Sequence, residues 1–131
     1  MRELIVPGLD EKDEEFANIL IDTGLKRNVA KTLVYLANVD EATSRHIEMG
    51  ADLRQPEVSI AMRKLMEENW VDVRDIKKKG KGRPLKCYKL AFSIQDIISN
   101  IENLKQMQAE NDLKNIRKLQ ELSVRFTQNK P

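Results

Sequence analysis

Several residue types that build common functional sites are scarce in this chain of 131 residues, which has one cysteine and one histidine. Cys87 has no second cysteine with which to form a disulfide within the chain. Cys87 and His46 together are too few to complete a structural zinc site or a Cys/His catalytic pair. No glycine-rich phosphate-binding motif and no paired acid/base arrangement stands out. We therefore expect a protein that is not an enzyme and that holds no metal or cofactor.

The N-terminus shows no secretory signal. It reads Met-Arg-Glu-Leu-Ile-Val-Pro-Gly and then becomes acidic. The longest apolar stretches, such as Leu33 to Ala37, are far shorter than the roughly 20 residues that a membrane-spanning helix needs. With 40% hydrophobic and 34% charged residues, the chain has the composition of one ordinary domain with a strongly ionic surface. We therefore expect a cytoplasmic protein without a membrane contact.

The formal net charge of +2 hides a strong segregation of charge along the chain. Residues 1–24 carry two basic and seven acidic side chains, whereas residues 25–91 carry fifteen basic and nine acidic ones. Between Arg74 and Lys89 lie eight basic residues and one acidic residue, Asp75. A basic run of this density indicates a local contact with a polyanion, with nucleic acid as the leading candidate and a solvated hairpin as the alternative.

Apolar periodicity predicts two helices before residue 40. The first spans residues 10–22, because Asp10 is a suitable N-cap and acidic side chains fill the first turn, where the helix dipole favours them. The second spans residues 26–38. The apolar face of the first helix consists of Phe16, Ile19 and Leu20, and the buried stripe of the second consists of Val29, Leu33, Leu36 and Ala37, with Tyr35 beside them.

A short helix and a longer one follow. The short helix spans about residues 43–49, with Thr43 as N-cap, Ile47 as core anchor and Gly50 as the left-handed residue at its end. The longer helix spans residues 54–69, and Pro56 suits its first turn because that turn has no partner for the missing N–H. Its predicted buried face consists of Val58, Ala61, Met62 and Leu65, while Ile60 and Arg63 point away.

Alternation replaces the helical period after residue 69. Residues 70–76 and 85–90 predict two short strands, and the basic, glycine-containing loop 77–84 between them predicts a β-hairpin. We expect Trp70, Tyr88 and Cys87 to pack in the core and His46 to face solvent or the side that meets a nucleic acid. From Ser93 to about Phe126 the pattern is helical again, either as one long helix or as two with a break near residues 109–112.

The order helix, short helix, turn, helix and basic hairpin is that of a winged helix-turn-helix. Three groups of residues carry a closer resemblance, which covers about residues 24–91. Gly24-Leu25 followed by Val29, Leu33, Tyr35 and Leu36 is similar to the opening helix of TrmB-like regulators. Leu53-Arg-Gln-Pro-Glu-Val-Ser59, with Met62-Arg-Lys-Leu65 and Asn69-Trp70-Val71, resembles the recognition helix of ArsR-like repressors. Lys79-Gly-Lys-Gly-Arg-Pro84 followed by Tyr88-Lys-Leu90 resembles the wing of many archaeal members.

The resemblance implies an α+β winged-helix fold for residues 24–91, and the helical patterns on either side of it give a mostly α chain in three parts. Residues 1–23 form an acidic arm and helix, residues 24–91 a winged helix-turn-helix DNA-binding domain, and residues 92–131 a helical dimerisation segment. Three departures matter. Asn69, which also tolerates positive φ, replaces the glycine that is common before the strand. Arg54 stands where the family commonly has a serine that caps the recognition helix, and the paired Cys or His ligands of the metal-sensing ArsR-like proteins are missing, so metal sensing is not implied.

The resemblance also implies which side chains contact double-stranded DNA. In the helix 54–69, Gln55, Ser59 and Arg63 are the expected readers of base edges in the major groove, where Gln pairs with adenine and Arg with guanine. Arg54 and Lys64 are expected at phosphates or at the groove edge, and Ile60 can contact a thymine methyl group. The alternative for all of them is an ordinary solvated helix surface.

The wing 77–84 is expected to position the protein rather than to read sequence. Its lysines suit phosphate contacts, which carry no sequence information; they are Lys77, Lys78, Lys79 and Lys81. Lys81-Gly-Arg-Pro84 also resembles an AT-hook core, in which arginine enters a narrow minor groove. Arg83 is therefore expected either in the minor groove or at a phosphate.

These patterns predict a transcriptional regulator, in particular a repressor, that binds DNA as a homodimer. The dimerisation stripe consists of Ile94, Ile97, Ile101, Leu104, Leu113, Ile116, Leu119 and Leu122. A C-terminal helix folded back on its own domain is the alternative use of that stripe. The alternative function is a winged helix that contacts protein or RNA in the transcription or assembly machinery. The basic wing beside the helix favours DNA.

Overall fold

The computed structural model describes residues 8–76 and 85–128. The chain divides into two compact units, one ending at Ile94 and one beginning at Gln95. The elements, in chain order, are α1 (Glu11–Asp22), α2 (Arg27–Ala37), β1 (Ala42–Thr43), α3 (Ser44–Ala51), α4 (Gln55–Glu67), β2 (Val71–Ile76), β3 (Leu85–Leu90) and α5 (Ile94–Gln128). Helices joined to one small sheet confirm the predicted α+β, mostly α class.

Helix α1 begins and ends where the sequence predicts. The Asp13 N–H donates to the Asp10 carboxylate at 2.8 Å and the Asp10 N–H donates to the Asp13 carboxylate at 3.0 Å, which satisfies two amides of the first turn. Gly24, with a φ of 113°, ends the segment. The expected apolar face is partly wrong, because Leu20 is buried but Ile19 is 57% exposed.

Helix α2 lies at the centre of the first unit. All eight side chains from Val29 to Leu36 are buried, because α2 packs against α1, α3, α4 and β3. The expected stripe of Val29, Leu33 and Leu36 is therefore confirmed, and burial extends around the rest of the helix. Ala37 is exposed, contrary to expectation, since it is the last helical residue and precedes the polar connection to β1.

Helix α3 confirms Thr43 as N-cap and Ile47 as a fully buried anchor, but not the predicted role of Gly50. Gly50 is helical and buried, and the left-handed residue at the helix end is Asp52, with a φ of 54°. A Cβ atom on Gly50 would lie 2.0 Å from a ring carbon of Tyr35. Gly50 is thus required because the Tyr35 ring packs directly on the helix backbone.

The sheet is antiparallel and has three strands in the order β1-β3-β2. Strands β2 and β3 form the predicted hairpin, with Val73 opposite Tyr88 and Arg74 opposite Cys87. Strand β1, which the sequence pattern did not predict, pairs Ala42 with Tyr88 and Thr43 with Cys87. Trp70 and Cys87 are buried as expected, whereas Tyr88 is half-buried.

The C-terminal segment is predicted from the sequence to be either one long helix or two shorter ones, and α5 distinguishes between these alternatives. It continues without a break from Ile94 to Gln128, so one helix is present. Its 35 residues correspond to a length of about 52 Å at 1.5 Å per residue. None of the helices within residues 8–76 and 85–128 has the length and apolar character that a membrane span requires.

Candidate nucleic-acid interface

Helix α4 has one buried face and one face open to solvent. Val58, Ala61, Met62 and Leu65 are buried, as predicted. Gln55, Ser59 and Arg63 are exposed and follow one another at intervals of four residues, about one per helical turn. The row from Gln55 to Arg63 is about 12 Å long at 1.5 Å per residue, which corresponds to three or four base pairs at about 3.4 Å each.

The first turn of α4 is closed by a glutamate rather than by an N-cap side chain. Arg54 occupies the N-cap position, and its guanidinium cannot accept a hydrogen bond from the helix amides. The Glu57 carboxylate accepts the Arg54 backbone N–H at 2.9 Å. This contact satisfies one backbone donor and leaves the exposed Arg54 side chain beside Gln55 at the start of the exposed row.

The start of α2 is tied to the start of α4. The Asn28 side-chain amide donates to the Glu57 carbonyl oxygen at 3.1 Å, and the Arg27 guanidinium lies 3.8 Å from the Glu57 carboxylate. These contacts place the exposed Arg27 next to the end of α4 that carries Arg54 and Gln55. Arg27 is not among the site residues predicted from the sequence. The available signal was the basic pair Lys26-Arg27 at the start of α2.

Two adjacent cations of α4, Arg63 and Lys64, differ in how they are partnered. Lys64 Nζ lies 3.0 Å from the Glu68 carboxylate, so part of its charge is neutralised within the helix. Within residues 8–76 and 85–128, no carboxylate lies within ion-pair distance of Arg63. Ile60 is 50% exposed, as expected for a side chain that points away from the core. Arg63 is therefore the better anion ligand of the two cations.

Recesses border the exposed row of α4 on both sides, and Arg63 lines both of them. One has a volume of about 410 Å³ and lies between α4 and the connection from α1 to α2. The other has a volume of about 530 Å³ and also includes Ser44 of α3 and Tyr88 of β3. The fold thus brings the start of α3, the row on α4 and the hairpin onto one surface.

The basic wing itself lies outside the described residues. This applies to Lys77, Lys78, Lys79, Lys81 and Arg83. The strands that lead into residues 77–84 are described, and an ion pair braces them. Arg74 of β2 makes two hydrogen bonds to Glu41, next to β1, across the intervening strand β3. The Arg74 guanidinium lowers the pKa of the Glu41 carboxyl, mainly through that hydrogen bonding.

The local contacts and burial of His46, Cys87 and Tyr35 indicate structural roles. His46 Nδ1 accepts the Thr43 backbone N–H at 3.4 Å, which makes His46 part of the N-terminal cap of α3. Burial raises the pKa of the Cys87 thiol, which keeps Cys87 protonated and poorly reactive. Burial also raises the pKa of the Tyr35 hydroxyl. In the described part of the chain no group of three or more His, Cys, Asp or Glu side chains could hold a metal ion.

The residues of the predicted dimerisation stripe differ in how exposed their side chains are. Ile97 is buried, and Ile94 and Ile101 are half-buried. The other members of the stripe are exposed; they are Leu104, Leu113, Ile116, Leu119 and Leu122. Every described side chain of α5 from Glu102 to Thr127 is exposed. An apolar surface of this extent is uncommon on a monomeric soluble protein.

Comparison with known proteins supports the fold. No protein-family model matches the chain, and no curated protein sequence matches it either. Among solved structures, the chain is similar to a possible transcriptional regulator from Methanosarcina mazei Go1, with 17% identity, a TM-score of 0.62 and coverage of 76% of this chain and 83% of the other. It is also similar to a protein from the thermoacidophilic archaeon Sulfolobus tokodaii, with 19% identity, a TM-score of 0.55 and coverage of 76% and 98%. These likenesses, together with the element order, show a winged-helix fold.

Proposed function

We propose that this protein is a sequence-specific, double-stranded DNA-binding transcriptional regulator, in particular a repressor, that acts as a homodimer. Residues 24–91 form the DNA-binding domain and residues 92–131 the dimerisation segment. Helix α4 enters the major groove, and the basic segment 77–84 contacts phosphates, with Arg83 at a phosphate or in the minor groove. The motifs in residues 24–91 relate the chain to ArsR-like and TrmB-like regulators.

The observation that carries this proposal is the exposed row of Gln55, Ser59 and Arg63 on a helix whose opposite face is buried. A helix fits the major groove when its outer side chains are short hydrogen-bonding groups and longer cations, and this row has both. Arg63 has no carboxylate within ion-pair distance in the described residues, so its guanidinium is available to a guanine. Ile60, next to the row, can contact a thymine methyl group.

Charges around this row supply the contacts that do not read sequence. Arg54 and Arg27 lie at the start of α4, Lys64 lies beyond Arg63, and the basic segment follows β2. Glu57 lies in the first turn of α4, and its charge is offset by the Arg27 guanidinium at 3.8 Å. Phosphate contacts from these cations fix the orientation of the protein on the duplex and make its affinity depend on salt.

The first experiment is selection of binding sites from a random duplex library with the full chain. A homodimer presents two α4 helices related by a two-fold axis, so the enriched sequence should be a near-palindrome whose half-sites are separated by one helical turn of about 34 Å or by a multiple of it. Failure to enrich any sequence, combined with no binding to random duplex at low salt, contradicts the proposal. Enrichment of a single half-site bound by one protomer contradicts the homodimer alone.

The second experiment compares variants of α4 with variants of the basic segment. Gln55→Ala and Arg63→Ala should each cost about 1–3 kcal/mol on the selected site and little on random duplex, because a lost base contact matters only where the base is correct. Lys78→Ala and Lys81→Ala should weaken both duplexes equally and flatten the plot of log K against log salt by about 0.9 each. Lys12→Ala, an exposed lysine of α1, is the control with no effect. Equal loss on both duplexes for Arg63→Ala contradicts the assignment of base reading to α4.

A contact with another protein or with RNA is the second candidate, because α4 also exposes two large apolar side chains, Ile60 at 50% and Met66 at 45%. Competition separates the two functions. RNA binding is favoured if single-stranded or double-stranded RNA displaces the selected DNA at equal concentration. A protein contact is favoured if Ile60→Ser leaves DNA binding intact but abolishes copurification of a protein partner.

A further inference from the structure

Charge is segregated along the exposed part of α5, residues 102–127. Residues 102–112 carry three acidic side chains, Glu102, Glu110 and Asp112, and one basic side chain, Lys105. Residues 113–127 carry four basic side chains and one acidic side chain, which are Lys114, Arg117, Lys118, Arg125 and Glu121. The balance therefore changes from −2 to +3 between Asp112 and Lys114.

Exposed apolar side chains occur on α5 both before and after this change in charge. Leu104 and Met107 are 45% and 65% exposed in the acidic part. Leu119, Leu122 and Phe126 are 65%, 48% and 68% exposed in the basic part. On a helix with 100° per residue these five side chains fall within about 60° of one line along the axis. A cover that buries this line must therefore extend over most of the 102–127 segment.

We propose that this face is covered by α5 of a second copy of the chain in antiparallel orientation, with the two-fold axis at the level of Leu113, whose own side chain lies on the opposite side of α5. This inference rests on the homodimer of the proposed function and specifies its geometry. An antiparallel pair places the acidic part of each α5 against the basic part of the other. A parallel pair, in contrast, places −2 against −2 and +3 against +3, which repel.

The apolar residues are compatible with this axis. With the two-fold axis at Leu113, Leu104 of one copy lies level with Leu122 of the second copy, and Met107 lies level with Leu119. Leu104 and Met107 of the acidic part are thus level with apolar residues of the basic part of the second copy, and the pairing is self-complementary, as a two-fold interface requires. Helices packed in this way lie about 8–10 Å apart.

The orientation can be measured as distances between spin labels. Cys87→Ala removes the native thiol, and Ser99→Cys or Ser123→Cys then provides one exposed label site on α5. With the two-fold axis at Leu113, two labels at residue 99 are separated by about 42 Å along the helix axis, and two labels at residue 123 by about 30 Å. In a mixed dimer with residue 99 labelled on one copy and residue 123 on the other, the separation along the helix axis is about 6 Å. A parallel pair in register instead leaves only the helix spacing of about 8–10 Å for either identical pair.

The expected result is therefore long distances in each singly labelled dimer and a short distance only in the mixture. Short distances in both singly labelled dimers overturn the antiparallel orientation but leave the homodimer intact. A protein that sediments as a monomer at micromolar concentration overturns the α5 homodimer, on which the inference depends. DNA binding by that monomer, measured on the selected duplex, then shows whether the DNA-binding proposal survives.

A second measurement uses the charges themselves. Salt screens the attraction between unlike parts, so the dissociation constant of an antiparallel dimer should rise with salt, whereas that of a parallel dimer should fall. The triple variant K114E/R117E/K118E makes both parts acidic and should weaken the antiparallel dimer at least tenfold at low salt. The variant K114R/K118R keeps the charge and is the matched control. An unchanged dissociation constant for the triple variant overturns the proposal.

Discussion

Helices α2 and α5 are both rich in apolar residues, but their surroundings are opposite. All eight side chains of α2 from Val29 to Leu36 are buried, and four other elements of the same unit cover them. On α5 every described side chain from Glu102 to Thr127 is exposed, including the eight large apolar ones between Leu104 and Phe126. The periodic pattern of a helix thus shows that a face requires a cover, but not whether the cover comes from the same chain.

The largest expected difference between the two helices is in stability. Leu33→Ala should lower the free energy of unfolding of the first unit by about 2–5 kcal/mol, because it leaves a cavity in a fully buried position. Leu119→Ala, the same change on α5, should leave that free energy unchanged. Trp70 is the only tryptophan and is buried, so its fluorescence during urea unfolding reports the first unit. Equal losses for the two variants would show that α5 belongs to the same cooperative core.

The second expected effect tests how tightly α2 is enclosed. Gly50→Ala should destabilise the first unit by about 1–3 kcal/mol, because the new Cβ would lie 2.0 Å from the buried ring of Tyr35. Helix propensity alone predicts the opposite sign, since alanine is favoured over glycine in a helix by about 1 kcal/mol. Gly8→Ala is the control, because its Cβ would lie 3.9 Å from the nearest atom. A stabilised Gly50→Ala variant would show that the Tyr35 ring can move aside.

Gly50 also illustrates what the sequence can and cannot predict. The N-caps Asp10 and Thr43 and the buried face of α4 were predictable, because each depends on residues within one or two turns. The roles of Gly50 and Asp52 were not, because the ring that excludes a side chain at Gly50 comes from α2. Strand β1 has only two residues, too few to show alternation.

The residues of the candidate site also differ in whether a local sequence pattern could predict them. The exposed row of α4 follows from a local period, so Gln55, Ser59 and Arg63 could be selected from the sequence. The contact between Arg27 and Glu57 joins residues 30 positions apart in the chain and exists because α2 and α4 pack together. No local pattern contains that information, which is why Arg27 was missed.

Arg27 is the exposed first residue of α2, so it tests whether the start of this helix has a function separate from that of the buried part. Arg27→Ala should weaken binding to selected and random duplex by the same factor, less than tenfold, and should flatten the salt dependence by about 0.9, as expected for one phosphate contact. Its effect on unfolding should be small, because an exposed ion pair contributes little. Lys12→Ala is the matched control. A loss confined to the selected duplex would instead assign Arg27 to base reading.

The smallest expected effects concern two exposed ion pairs, one in each unit. Arg74 and Glu41 connect strands that are distant in sequence, whereas Lys118 and Glu121 lie 3.6 Å apart within one turn of α5. Glu41→Gln should slightly lower the urea midpoint of the first unit at neutral pH, and Lys118→Gln should not change it.

The pH dependence of the Glu41 effect has a definite sign. The pKa of Glu41 in the folded protein is lowered from its ordinary value of 4.5, so its stabilising contribution is fully present above that value. The contribution is lost as the pH falls through the lowered pKa, because the protonated carboxyl no longer pairs with Arg74. The urea midpoints of the native chain and of Glu41→Gln should therefore differ at pH 7 and converge in acid. A difference that persists after Glu41 is protonated would show that its packing, rather than its charge, braces the hairpin.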